Sequence, residues 1–174
     1  MITLVTGGSK CGKSSLAEKI LDSVFTGGKF YIATMIPYGD DALDAVNRHR
    51  IMRDGKGFST VEKYTDIHEI SLAENCGILL ECIGNLCANE MFCNEKICFP
   101  TEKIISGVKK LSQYAEHIVI VTNEVGCDGF DYTAETQLYI KAMAEINSGI
   151  AQFADNVIEC VYGIPIILKG EIPC

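Results

Sequence analysis

Positive charge is scarce in this sequence: 15 lysines and arginines stand against 23 aspartates and glutamates, a net charge of −8 over 174 residues. A surface of that sign repels nucleic-acid backbones and anionic headgroups, which argues against a general nucleic-acid or membrane-surface binder. Any anionic ligand must be held by a local basic cluster. No apolar run is long enough to span a bilayer, so membrane insertion is not expected. Met1 leads at once into a strand-like run without the charged and apolar regions of a secretory leader, so a cytoplasmic protein is expected. No repeat, low-complexity stretch or linker divides the chain, and residues 1–174 read as a single domain with a sizeable core. The nine cysteines include no C-x-x-C pair. The run Cys76, Cys82, Cys87, Cys93, Cys98 lacks zinc spacing, and the cysteines read as small buried hydrophobes kept reduced.

One stretch organises what is present. Gly7-Gly8-Ser9-Lys10-Cys11-Gly12-Lys13-Ser14 fits G-x-x-x-x-G-K-[ST]. The apolar run Ile2-Thr3-Leu4-Val5-Thr6 precedes it and Ser15-Leu16-Ala17-Glu18-Lys19-Ile20-Leu21 follows. Strand, glycine loop and helix are the setting the motif requires. Glycines let the loop curl so that successive N–H groups meet one phosphate, and the helix N-terminus adds its dipole. Gly7, Gly8, Ser9, Lys10, Cys11, Gly12, Lys13 and Ser14 are therefore expected to bind nucleotide, with Lys13 on the β/γ-phosphates and the Ser14 hydroxyl on Mg²⁺. Oxidation of Cys11, inside the loop, would block that binding.

Further along, strands alternate with helices. Phe30–Met35 reads as a buried strand, Asp41–Arg53 as a helix, Phe58–Glu62 as a strand and Asp66–Asn75 as a short amphipathic helix. Gly77–Ile83, His117–Glu124, Asn156–Tyr162 and Ile166–Lys169 read as strands. Gly84–Phe92, Thr101–Ala115 and Thr133–Phe153 read as helices. This pattern predicts an α/β fold, a P-loop NTPase-like three-layer sandwich around a mostly parallel sheet. Ligands of such sheets bind at the carboxyl ends of the strands, where Lys13, Thr34, Glu81 and Glu124 gather. Glu81, ending an apolar run, is in the position of a second carboxylate directed at Mg²⁺. In Arg48-His49-Arg50-Ile51-Met52-Arg53, His49 falls on the apolar stripe of its helix. It is either a satisfied core histidine or, with three guanidiniums around it, a residue that meets a phosphate.

These residues resemble the bifunctional adenosylcobinamide kinase / adenosylcobinamide-phosphate guanylyltransferase family of cobalamin synthesis. The resemblance covers nearly the whole chain. It rests on Leu4-Val5-Thr6-Gly7-Gly8 with its loop, Tyr31-Ile32-Ala33-Thr34, Arg48-His49-Arg50, Thr60-Val61-Glu62, Leu79-Leu80-Glu81-Cys82 with Asn89, and Val121-Thr122-Asn123-Glu124-Val125-Gly126. Asn147, Ala154-Asp155 and Gly163-Ile164-Pro165 close the series. It implies two reactions at one nucleotide site. ATP or GTP phosphorylates the hydroxyl of the cobinamide side chain; then GTP guanylylates a histidine, here His49, and the cobinamide phosphate takes the GMP. A neutral imidazole, titrating near about 6.5 in model peptides, is a competent nucleophile at cytosolic pH. By the same likeness Thr34, Met35, Arg50, Ile51, Met52, Arg53, Glu62 and Glu81 join the nucleotide-binding set, Ser14 and Glu81 hold Mg²⁺, Lys13 and His49 are catalytic, and the partners are nucleotide, corrinoid and two further copies in a homotrimer.

The departures lie together. After Glu124-Val125-Gly126 the family runs on as a glycine, two aliphatics and a proline, where this chain has Cys127-Asp128-Gly129-Phe130-Asp131. The arginines and aspartate of its next helix are replaced by Gln137, Ile140 and Lys141, and a glutamine by Ser148. The nucleotide half is intact and the half that would face corrinoid or a neighbouring subunit is changed. Two other readings therefore stay open: a single-activity P-loop kinase without a histidine intermediate, and a nucleotide-binding relative without turnover.

Overall fold

The computed structural model describes residues 1–37, 55–93 and 97–173. Among them, β1 (Ile2–Thr6), α1 (Lys13–Val24), β2 (Lys29–Ala33), β3 (Phe58–Glu62), β4 (Cys76–Glu81), α2 (Ile83–Met91), α3 (Thr101–Tyr114), β5 (Ala115–Val121), α4 (Ala134–Phe153), β6 (Asn156–Val161) and β7 (Ile164–Lys169) follow one another. The strands form one seven-stranded sheet in the order β3-β2-β4-β5-β1-β6-β7. All neighbours are parallel except β6 and β7, an antiparallel pair joined at Tyr162–Gly163, both of which have positive φ. This is the mostly parallel α/β sandwich that the alternation predicts.

Alternation of side chains along each strand sorts the core into two layers. Val5, Tyr31, Leu79, Val119, Val121 and Ile158 meet Ala17, Ile20 and Leu21 of α1 on one face. Leu4, Ile32, Ile78, Leu80, Ile118 and Ile120 meet Leu86, Met91, Ile104, Val108, Leu111, Met143, Ile146 and Ile150 of α2, α3 and α4 on the other. β4, covered on both sides, is buried at every residue, so its sequence is a continuous apolar run ending in Glu81. Each of these Leu, Ile and Val side chains contributes about 1.5–3 kcal/mol by leaving water.

Three expectations are corrected. Asp66–Asn75 is no helix: only Ile67–Glu69 makes a single 3₁₀ turn. Asp66 has φ +53, its N–H is bonded to Glu90 at 2.6 Å, and Ile67 packs onto Gly107 of α3, where a Cβ would lie 2.7 Å from it. That notch belongs to another element and overrides local periodicity. The cysteines do not share one environment: Cys76, Cys82, Cys87 and Cys160 are buried, but Cys93, Cys98 and Cys127 are exposed. The strand through residue 124 stops at Val121, and Thr122–Glu124 run on toward the glycine loop.

Candidate active site

The glycine loop occupies the carboxyl ends of β1 and β6. Gly7 leaves β1 with φ +138, and a Cβ there would lie 2.5 Å from the Cys160 carbonyl oxygen; glycine is required by both conformation and space. Lys10 and Gly12 also take positive φ, 58° and 100°, which curls the loop before Gly12 caps α1. Lys13 opens the helix. It is 6% exposed, its Nζ donates to the carbonyl of Gly8, and the same Nζ lies 3.8 Å from Cys11 Sγ. An ammonium is thus folded back over the loop. Gly8, Ser9 and Lys10 face solvent.

Ser14, one residue on, donates through Oγ to Oε1 of Glu81. Tyr31 donates from its hydroxyl to Oε2 at 3.0 Å. Glu81 is 9% exposed and lies on the α1 face, two residues beyond Leu79. Sequence reasoning paired Ser14 with Glu81 but missed Tyr31; the signal was alternation, since Tyr31 shares a face with Ala33, which pairs with Glu81 in register. Thr34, fully buried, donates through Oγ1 to the Cys82 carbonyl and accepts from the Cys82 N–H, each at 2.8 Å. Asn89 ties the Thr34 and Tyr64 carbonyls together at 2.8 and 2.9 Å. Met35 follows, half-buried.

Glu62 stands apart. It pairs in register with Ala33 from the far side of β2, two strands from Glu81 and so about 10 Å away. It is exposed and accepts from the Tyr64 hydroxyl at 3.0 Å. The predicted His49, Arg50, Ile51, Met52 and Arg53, with Arg48 beside them, lie outside the described residues.

On the other side of the loop is a hollow of about 500 Å³ lined by Gly8, Glu124, Val125, Asp128, Tyr132 and Tyr139, among others. Its rim is pinned to the loop by the Glu124 N–H, which donates to the Gly7 carbonyl at 3.1 Å. Asn147 braces the same segment, accepting from Thr122 Oγ1 at 2.6 Å and donating to the Asn123 carbonyl at 3.1 Å. The Tyr132 hydroxyl donates to Asp128 and holds that carboxyl below its ordinary range; the same bond raises the phenol. Burial pushes Tyr139 up to about 12. Two departing residues shape this wall: Ile140 packs on Gly126, where a Cβ would lie 2.7 Å from it, and Gln137 donates to the Tyr132 carbonyl at 3.0 Å.

The donor set suits a nucleotide with a divalent cation. One buried ammonium lies on a glycine loop at a helix N-terminus, and beside it a hydroxyl and a carboxylate present the hard oxygens that Mg²⁺ takes. The one other cluster of metal-ligating side chains among the described residues, Asp66, His68 and Glu69, is tied into ion pairs with Lys103 and Lys63 at 2.6 and 2.7 Å.

A family model described as cobinamide kinase / cobinamide phosphate guanyltransferase matches residues 3–168. The bifunctional adenosylcobalamin biosynthesis protein CobU of Escherichia coli is 27% identical over 184 positions, covering 97% of this chain and 100% of that protein. The bifunctional adenosylcobalamin biosynthesis protein CobP of Pseudomonas aeruginosa is 25% identical over 175 positions, covering 98% and 99%. Among solved structures, the flagellar accessory protein FlaH of Methanocaldococcus jannaschii is similar with a TM-score of 0.49 at 12% identity, over 99% of this chain and 79% of that one.

Proposed function

Because the chain belongs to the cobinamide kinase / cobinamide phosphate guanyltransferase family, we propose that it carries out both reactions on adenosylcobinamide at the glycine loop. In the first, the acceptor hydroxyl attacks the γ-phosphorus of ATP or GTP. The bond to the bridging oxygen breaks and the nucleoside diphosphate leaves. In the second, the His49 imidazole attacks the α-phosphorus of GTP and pyrophosphate leaves. The phosphoramidate then passes GMP to a phosphate oxygen of cobinamide phosphate, giving adenosylcobinamide-GDP.

The observation that carries this reading is the meeting of Lys13, Ser14 and Glu81 at the loop. Lys13 would neutralise the β/γ-phosphates and the charge that grows on the leaving group. Ser14 and Glu81 would hold Mg²⁺, which when bound supplies charge neutralisation on the phosphates. Arg50 and Arg53, Thr34 and Met35, and Glu62 complete the proposed nucleotide contacts. The hollow beside Gly8 supports a place for the acceptor, because it opens on the loop and its wall carries the carboxylates Glu124 and Asp128.

The chain is also proposed to act as one domain, to work in the cytoplasm and to assemble with copies of itself, as a trimer by family likeness. No described helix is long and apolar enough to cross a membrane. Self-assembly is supported by edge strand β7, where Ile164, Ile166, Ile167 and Leu168 are all exposed; an uncovered apolar edge is a template for another chain. Light scattering behind a sizing column reads the assembly directly.

The test of the chemistry is incubation with α-³²P-GTP and Mg²⁺, denaturation, and assay for acid-labile label. Wild type is expected to carry label that is stable to base and absent from His49→Ala. A wild type that binds GTP yet takes no label removes the guanylyltransferase step and leaves the kinase alone.

A further inference from the structure

Two cysteines that this chemistry leaves unused meet behind the phosphate loop. Cys11 is half-buried within the loop; Cys160, in β6, is 1% exposed. The Cys160 thiol donates to the Cys11 carbonyl at 3.3 Å, and the Gly163 N–H donates to the same carbonyl at 2.7 Å. Both residues also crowd Gly7: a Cβ there would lie 3.1 Å from Cys11 Sγ and 2.5 Å from the Cys160 carbonyl oxygen. A Cβ on Gly12 would lie 3.8 Å from Cys160 Sγ. The two residues thus bracket one turn of backbone, and burial keeps the Cys160 thiol protonated above its ordinary range. Lys13 Nζ, 3.8 Å from Cys11 Sγ, sets a cation beside the sulfur that solvent can reach.

We propose that Cys11 and Cys160 are a redox-modification site, at which a peroxide joins the two sulfurs in a disulfide that closes the phosphate loop to nucleotide. The Cys11 sulfur attacks one oxygen of hydrogen peroxide, the O–O bond breaks, and a sulfenic acid and one water result. The Cys160 sulfur then attacks the Cys11 sulfur, the S–O bond breaks, and hydroxide leaves with the thiol proton as a second water. The two thiols supply the two electrons that reduce the peroxide. Cys11 reacts first because it is the one of the pair open to solvent. The bond requires the sulfurs to approach to about 2.05 Å, which draws Cys11 toward β6. Cys11 lies between Lys10 and Gly12, whose positive φ angles set the curl of the loop, and two residues before Lys13. A loop pulled onto the sheet no longer encloses a phosphate. A small reductant reverses the bond by thiol–disulfide exchange.

The covalent part stands on the geometry alone; its consequence rests on the reading of the loop as a nucleotide site. The experiment separates them. Reduced protein is treated with equimolar hydrogen peroxide, remaining thiols are capped with N-ethylmaleimide, and the digest is mapped by mass spectrometry. Peptide mapping is needed because Cys93, Cys98 and Cys127 are also exposed. A fluorescent GTP analogue reports affinity before oxidation, after it, and after dithiothreitol. A Cys11–Cys160 linked peptide is expected, with affinity lowered by at least about tenfold and restored by dithiothreitol. Cys160→Ser, checked for fold by circular dichroism, is expected to bind the analogue as wild type does when reduced and to form no such peptide. Peroxide that oxidises other thiols in wild type without producing the linked peptide overturns the proposal, and that reading needs no variant to fold. A linked peptide with unchanged affinity overturns the gating. Reduced wild type that does not bind the analogue defeats the nucleotide reading and the gating with it, while the peptide map still decides the bond.

Discussion

Thr34→Val isolates one hydroxyl that holds the floor of the site. Thr34 is fully buried at the end of β2, and its Oγ1 both accepts from the Cys82 N–H and donates to the Cys82 carbonyl at 2.8 Å. That carbonyl has a second partner, the Leu86 N–H at 3.2 Å, so it stays satisfied without Thr34. The Cys82 N–H does not. Valine keeps the shape and orphans one buried donor, a cost of about 1–3 kcal/mol. In a chain of this length each kcal/mol moves Tm by about 2–4 °C, so the midpoint should fall by about 4–8 °C for a loss near 2 kcal/mol. Thr34→Ser keeps the hydroxyl and removes one methyl, worth about 0.8 kcal/mol. Urea denaturation and thermal melts of both variants decide the matter. Because Cys82 follows Glu81 directly, Thr34→Val should also weaken Mg²⁺-dependent binding of a GTP analogue more than Thr34→Ser does. If valine proves no worse than serine in the melts, the hydroxyl does not bear this load and the reasoning fails.

Gly7→Ala should abolish binding of the GTP analogue with the fold retained, since its Cβ meets a backbone carbonyl at 2.5 Å where φ is +138; wild-type affinity in the variant would refute the loop geometry. Lys56→Ala should cost about 1–3 kcal/mol, well above the roughly 0.5 kcal/mol of an ordinary surface lysine. It strands Glu18, whose Oε2 accepts from Lys56 at 2.6 Å and whose buried Oε1 has no partner among the described residues; the 40% exposure of Lys56 keeps the loss below that of a fully buried pair. Adding Glu18→Gln should recover part of that loss in urea denaturation, and no recovery would place the cost elsewhere. Stability should also decline on the alkaline side. Burial holds the Cys87 thiol and the Tyr139 phenol protonated to about 12, whereas the unfolded chain releases those protons at about 8.5 and 10. The fold then binds more protons than the unfolded chain, so stability is full below the unfolded values and is lost as pH rises toward 12. The urea midpoint measured under reductant from about pH 8 to pH 10.5 should fall, and Cys87→Ala should flatten the slope; an unchanged midpoint contradicts the burial argument.

The loop, the strands and the Ser14–Glu81 pairing were legible because each is a local pattern: a glycine spacing, a period of two, an acid ending an apolar run. What was not legible depends on partners distant in sequence. Several residues that carried the family likeness prove to be backbone braces. Thr34 holds Cys82, Asn89 joins the ends of two segments, Asn147 clasps Thr122 and Asn123, and Asp155 accepts from the Ile2 N–H at 2.7 Å. Their side chains hold backbone that is distant in sequence, so their spacing along the chain gives no hint of this bracing. The failed helix at Asp66–Asn75 has the same origin, the packing of Ile67 onto Gly107, which no local window contains.

The changed segment after Gly126 yields to the same argument. Ile140 fills the space over Gly126, and Gln137 ties down Tyr132, which in turn holds Asp128. The departures form one consistent wall rather than scattered losses. That wall carries Glu124 and Asp128, the latter held ionised by Tyr132. On the proposed reading an uncharged acceptor hydroxyl enters this hollow without repulsion, but its phosphorylated product cannot rest against the same two carboxylates. On the same reading the product's phosphate would turn toward Lys13 and the loop, the side proposed for GMP transfer. On that reading, acidic residues in the wall and the Lys10 and Lys13 ammoniums in the loop are compatible with two successive reactions in one place, and would set the direction in which the intermediate faces.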